Sequence, residues 1–316
     1  MAFAEAPTKH EAVLPGLLER LRLTRGERRN LLVGLAFISP WIVGFIAFLV
    51  YPIYYTIKLS FTRYSGFGTP TPIGLFNYHR LLHNDPLFWK ALYNSAYFTV
   101  LAVPIGVVVA LVLALAMNQP LPEVPVFRAI FFVPSVLPLF AISFIVLTLL
   151  DPNTGVVNRL LHLVHLPTPF WFGNPSLAKF SLVLMAQYGA GQWALVFLAG
   201  LKGIPTSLYE AAMLDGASTW NKFRSITLPL LTPVIFFDLV LGLGLDFQVF
   251  TQSYIITQGG PADATNFFVY YLYNNAFRYS QMGYAAALSC VLFAITLVVA
   301  LVIFLTSSKW VHYEYT

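Results

Sequence analysis

Residues 202–229 read KGIPTSLYEAAMLDGASTWNKFRSITLP, a polar interval between two long apolar runs. Its punctuation predicts two short helices lying outside a membrane. Pro205 and Ser207 open the first, and Ser207 followed three residues later by Glu210 has the spacing of a capping box. Gly216 is the natural stop for that helix. Ser218 can cap a second helix, which should end before Pro229 because the residue ahead of a proline is pushed out of the α conformation. Ala211, Ala212 and Gly216 are small enough for another protein surface to approach the backbone.

Outward from this interval the chain is apolar. Of 316 residues, 58% are hydrophobic and only 10% charged, against about 25% charged in an average soluble domain. With a mean hydropathy of +0.72, this is an integral membrane protein. Six stretches are near the ~20 apolar residues needed to cross a bilayer: 31–57, 92–116, 129–150, 180–200, 230–254 and 284–306. The all-α reading is thus a tail over residues 1–30, a membrane domain over 31–306 and a short tail over 307–316. In the first tail Leu14, Leu17, Leu18 and Leu21 recur at helical spacing among arginines, the pattern of an amphipathic helix on an anionic lipid surface.

An even number of spans puts both termini on one side. Eleven of the eighteen Lys and Arg fall on the side of the termini and residues 202–229, so that side is expected to be cytoplasmic. The same bias explains the +5 charge without nucleic acid. Cys290 sits in an apolar run and has no second cysteine to pair with. The six histidines have no metal-ligand spacing. No Gly-rich phosphate loop ending in Gly-Lys-Ser/Thr is present, so ATP is not bound by that route. No nucleophile–base cluster stands out either. The chain must therefore take its energy from elsewhere.

Glu210-Ala211-Ala212, Gly216, Ile226 and Leu228-Pro229 match in identity and spacing the EAA loop of binding-protein-dependent ABC importers. Other stretches extend the resemblance. They are Gly74-Leu75-Phe76-Asn77-Tyr78, Arg128 with Phe131-Phe132-Val133-Pro134, Thr257-Gln258-Gly259-Gly260-Pro261, and Gly283-Tyr284-Ala285-Ala286-Ala287. Together these are similar to the carbohydrate branch, of the maltose and glycerol-3-phosphate type. One departure is the absence from the third span of a tryptophan often found near its outer end. The resemblance implies a type I ABC importer permease fold of six transmembrane helices with a cytoplasmic coupling-helix loop. It also implies partners: two ATP-binding cassette ATPases that hold ATP and Mg, a second homologous permease, and an extracytoplasmic solute-binding protein. No cofactor is expected on this chain. Ser207, Glu210, Ala211, Ala212, Asp215, Gly216, Lys222, Arg224 and Pro229 become the expected ATPase-coupling residues, with Glu210 capping the coupling helix. Asp215, Lys222 and Arg224 read equally well as a solvated face. An importer of another solute class, such as peptides or polyamines, and an ion-driven secondary transporter are the alternatives. The latter leaves the EAA pattern unexplained.

Polar groups within spans are costly and therefore informative. Asp238 and Asp246 are eight residues apart, about 80° of helical rotation, so both can face the bundle interior. They either line a path or bond a neighbouring helix, the second reading being favoured for Asp238. Gln248, with Phe250 as an aromatic platform, continues that face with groups suited to sugar hydroxyls and ring faces. On the fourth span Gln187, Tyr188, Gln192 and Trp193 gather around Gly189 and Gly191, marking either a local break that lines a cavity or close helix packing. Pro134 and Pro138 can kink the third span, and Pro104 the second.

Overall fold

The computed structural model describes residues 25–312, and contacts divide the chain into two units, Met1–Tyr55 and Thr56–Thr316. In the first unit, α1 (Arg25–Phe45) runs through a π turn at Ile46–Val50 into α2 (Tyr51–Ser60), whose last residues belong to the second unit. Phe37 and Phe48 are 84% and 85% exposed, as suits a helix solvated by lipid. The amphipathic helix expected on Leu14 to Leu21 lies outside the described residues.

In the second unit, β1 (Thr62–Arg63) pairs antiparallel with β2 (Thr71–Pro72) and leads into α3 (Phe76–His83). Next comes α4 (Pro86–Met117). The Asp85 side chain accepts from the Phe88 amide at 3.1 Å, and Pro86 sits where no N–H is needed. At 32 residues α4 is about 48 Å long, so it starts outside the ~30 Å hydrocarbon layer rather than at residue 92. The chain continues through α5 (Val124–Val136), α6 (Leu139–Leu149), α7 (Val156–Leu163), α8 (Pro175–Ala186) and α9 (Ala190–Gly203). Then follow α10 (Thr206–Leu214), α11 (Thr219–Lys222), α12 (Leu228–Leu230), α13 (Thr232–Asp246), α14 (Phe268–Tyr273) and α15 (Met282–Ser307).

Among the described residues, four helical stretches can cross a bilayer by length and hydropathy: Arg29–Ser60, Pro86–Met117, Pro175–Gly203 and Met282–Ser307. Two bent pairs, Val124–Val136 with Leu139–Leu149 at 101° and Thr219–Leu230 with Thr232–Asp246 at 58°, bring the count to six if each is one span. The first bend corrects the expectation of one kinked third span. Leu137 is extended (ψ 135°) because Pro138 follows it, and the helix breaks outright. Pro104 and Pro134 stay inside α4 and α5. The fifth span also stops at Asp246, not 254. Beyond it, Ser253–Thr257 forms a π turn closed by left-handed Gln258. The loop is tied to itself where Ser253 Oγ donates to the Thr265 carbonyl and Thr265 Oγ1 to the Gly260 carbonyl, each at 2.6 Å.

α4 is the hub, packing on α8, α9, α13 and α14. Small residues permit the closest approaches. A Cβ on Gly191 would lie 1.8 Å from the Phe131 carbonyl oxygen, and one on Gly283 2.1 Å from that of Thr62. One apolar core, with Ala110, Ala114, Phe197, Leu201 and Leu231 at its centre, joins the ends of α4, α9 and α13. Tyr209 and Ile226 pack against it from the polar interval.

Candidate functional site

The 202–229 interval is a helical hairpin, and its turn is closed by backbone chemistry. Gly216 has φ +73°; its N–H donates to the Met213 carbonyl at 3.1 Å, while Ala217 N–H donates to Ala212 at 2.9 Å. That is the Schellman arrangement, with Gly216 in the left-handed position only glycine fills cheaply. Ser218 Oγ accepts from the Asn221 amide at 3.3 Å and caps the second helix as expected.

Two expectations fail here. α10 begins at Thr206 with Pro205 in the cap position and no side-chain cap bond. Ser207 is therefore already the second helical residue, and the Ser207–Glu210 box does not form; exposed Glu210 caps nothing. The second helix does not end before Pro229 either. It widens into a π turn at Phe223–Thr227, where Leu228 N–H reaches the Phe223 carbonyl, and passes Pro229 into α12. A turn that bonds five residues back relieves the clash a proline ring causes in a regular α-helix.

The hairpin is gripped at its base and bare at its tip. Tyr209 Oη and Thr227 Oγ1 are 2.9 Å apart, bridging its two arms. Ser207, Ala211, Asp215, Gly216 and Arg224 are exposed, Ala212 and Pro229 are partly covered, and Lys222 lines a groove with Tyr209, Trp220 and Phe223. That groove encloses about 710 Å³. The side chains that sequence reading passed over are Leu214, 90% exposed, and Trp220, 65% exposed. Large apolar groups pushed out of a polar loop were the available signal.

Between the spans, Gln187, Trp193, Asp238 and Asp246 line one cavity of about 100 Å³, against Gly106 and Gly242. Asp238 is buried at 5% exposure, and among the described residues neither carboxylate accepts a hydrogen bond. Gln187 begins a 3₁₀ turn, Gln187–Gly189, that interrupts the fourth span without breaking it. Its amide donates to the Val183 carbonyl at 2.9 Å and the Ala102 carbonyl at 3.3 Å. The other candidates lie elsewhere. Tyr188 packs into a separate apolar core with Phe98 and Leu182, and Gln192 is exposed. Exposed Gln248 donates back to the Gly244 carbonyl at 2.8 Å. Phe250 stacks on Tyr254 at 5.3 Å, at the back of a different cavity.

A further polar centre was invisible in the sequence. Asp85 accepts from Phe88 N–H with one oxygen and from the hydroxyls of Tyr271 and Tyr284 with the other. Arg80 lies over the Tyr284 ring at 4.3 Å and donates to Gln281 at 2.8 Å. Burial and then the bond to Asp85 push the Tyr271 phenol well above the usual tyrosine range. Asn77 of the 74–78 stretch donates to the carbonyls of Ser60 (2.8 Å) and Thr62 (3.0 Å). That stretch is a clamp for the end of α2.

With carboxylates left unpaired between helices apolar enough to cross a bilayer, a costly arrangement, this chain has the architecture of an integral membrane protein. It belongs to the family of binding-protein-dependent transport system inner membrane components, matched over residues 102–311. Over 299 residues it is 39% identical to the probable ABC transporter permease protein YesP of Bacillus subtilis (strain 168), spanning 94% of this chain and 97% of that one. It is 36% identical over 279 residues to the lactose transport system permease protein LacF of Rhizobium radiobacter, spanning 86% and 92%. Among solved structures it is similar to a chain of a bacterial ABC transporter involved in the import of the acidic polysaccharide alginate. The TM-score is 0.77 at 25% identity, over 89% of this chain and 96% of that one. The fold is the type I ABC importer permease fold.

Proposed function

We propose that this protein is a translocation subunit of an ATP-driven importer for a sugar or oligosaccharide. The observation that carries the reading is the Gly216 hairpin, anchored in the core through Tyr209 and Ile226 and presenting bare Leu214 and Trp220 at its tip. It is a rigid lever with an adhesive end. Two ATP-binding cassette ATPases, holding ATP and Mg, take up the hairpins of this chain and of a second homologous permease. A solute-binding protein delivers cargo from the opposite face. Both termini and the hairpin lie in the cytoplasm, and the chain sits in the plasma membrane of a bacterium or archaeon. When the ATPases close on ATP, the hairpins move together and the spans rock between inward- and outward-facing states. By linkage, a loaded binding protein favours the ATPase-closed state.

The cargo reading draws on the carbohydrate-type stretches and on relatives such as LacF. Gln187, Asp238 and Asp246 offer amide and carboxylate groups to sugar hydroxyls. In this conformation their cavity, about 100 Å³, is smaller than the ~300–1,000 Å³ of ligand pockets, so passage requires the spans to separate. The deciding experiment is affinity purification of the tagged chain from its native membrane. An ATP-binding cassette ATPase should co-purify, and sugar uptake should stop when the gene is deleted. Undiminished uptake driven by an ion gradient, with no ATPase attached, would establish a secondary transporter instead.

A further inference from the structure

The segment joining α13 to α15 builds a second cavity, of about 440 Å³, lined by Tyr254, Gln258, Tyr270, Tyr273, Asn274 and Phe277 together with Arg278. We propose that it is a binding site for an uncharged saccharide ring, outside the bundle and separate from the Asp238–Asp246 cavity. The inference rests on the sugar-importer reading above and adds a site to it.

Four observations converge. First, the volume lies within the range of ligand pockets, whereas the interior cavity falls below it. Second, the wall is a continuous aromatic array. Phe250 stacks on Tyr254 at 5.3 Å and meets Tyr273 at 5.1 Å, and Tyr273 meets Phe277 at 5.1 Å. Tyr270 is 4% exposed and forms the buried wall, while Tyr254 and Phe277, 46% and 64% exposed, offer ring surface at the mouth. Third, polar groups around the array are unused. Among the described residues, the side chains of Gln258, Asn274 and Arg278 make no hydrogen bond within the chain. Asn274 is 9% exposed, so it is held in place with its amide uncommitted. Fourth, the backbone fixes the rim. Gln258 and Gly259 are both left-handed, at φ 49° and 85°, and Asn274–Arg278 is a π turn.

The chemistry selects among ligands. A lipid tail needs no amides. A cation is opposed by Arg278, and no carboxylate lines the cavity to receive one. A pyranose presents apolar C–H faces for aromatic rings and a belt of hydroxyls that both donate and accept. Gln and Asn amides match both roles, and Arg and the phenols supply further donors. Tyr254 is eight residues beyond Asp246 on the same segment, which suits a site that receives cargo before the spans open.

The test is saturation-transfer NMR on the full-length chain in lipid nanodiscs, with maltose, lactose and trehalose as probes. Transfer to the ring C–H protons of at least one sugar is expected. It should drop about tenfold in Phe277→Ala and persist in Phe277→Tyr, as expected for an aromatic anchor. Should Phe277→Ala not fold, Arg278→Gln, at an exposed position, should weaken the same signal. Absence of transfer from all three sugars, or transfer unchanged in a folded Phe277→Ala and in Arg278→Gln, overturns the site. An ATPase that co-purifies while the sugars fail to bind retires this inference and leaves the importer reading standing.

Discussion

Single residues decide where this chain turns and where its helices touch. Gly216 has open space around it, so substitution there fails on conformation, not on clash. A left-handed L residue costs about 1–2 kcal/mol, enough to unwind the Schellman closure and swing Leu214 away from its position. Gly216→Leu should therefore reduce ATPase co-purification and abolish transport-coupled hydrolysis, while Gly216→Asn, which tolerates φ > 0, keeps most of both. Normal uptake by Gly216→Leu would sink the coupling role. Gly191 is the opposite case, a clash without strain, since its Cβ would sit inside the Phe131 carbonyl. Gly191→Ala should push α9 from α5 at a cost of about 1–3 kcal/mol, read as a lower melting temperature in nanodiscs.

At the scale of elements, two devices hold helices in register. At one end, Tyr209 and Thr227 tie the arms of the hairpin, and Tyr209 and Ile226 pack it onto the core shared by α4 and α9. At the other, Asp85 caps α4 and also receives Tyr271 of α14 and Tyr284 of α15. Asp85→Ala removes a cap worth about 1 kcal/mol and leaves two buried hydroxyls unmet at about 1–3 kcal/mol each. A loss of about 3 kcal/mol or more is expected by denaturant titration. Asp85→Asn, whose single amide oxygen can keep the cap while its NH2 faces the tyrosines, should lose less; equal losses would show that the cap contributes nothing.

Across the whole molecule, the hairpin and the aromatic cavity must open on opposite faces of the membrane if one couples to ATP and the other receives cargo. A Ser218→Cys chain in a Cys290→Ser background should label only from the cytoplasmic side, and Tyr279→Cys only from outside. Labelling of both from one side would invert or abolish the importer arrangement. On the importer reading proposed above, the carboxylates lining the small interior cavity meet cargo only once the spans move apart.

The amino-acid sequence by itself determined the elements that local chemistry controls: the apolar spans, the Gly216 stop, the Ser218 cap and a distortion of the third span at its prolines, though not the outright break ahead of Pro138. Each depends on neighbours within a few residues, so each could be read from spacing. It also placed Asp238 and Asp246 on one face, because helical rotation is a local property. Tertiary structure decided the rest. The start of α10 lies two residues earlier than a Ser207 cap requires and cancels the Ser207–Glu210 box, because capping depends on which residue first adopts helical angles. The fifth span ended at Asp246 because loop hydrogen bonds around Thr265 compete with further helix. Tyr271 and Tyr284 meet Asp85 across 186 and 199 residues of chain. Phe250 left the carboxylate face for an aromatic cluster with Tyr273. Such partners are chosen by packing between distant helices, and no periodicity along the chain encodes them.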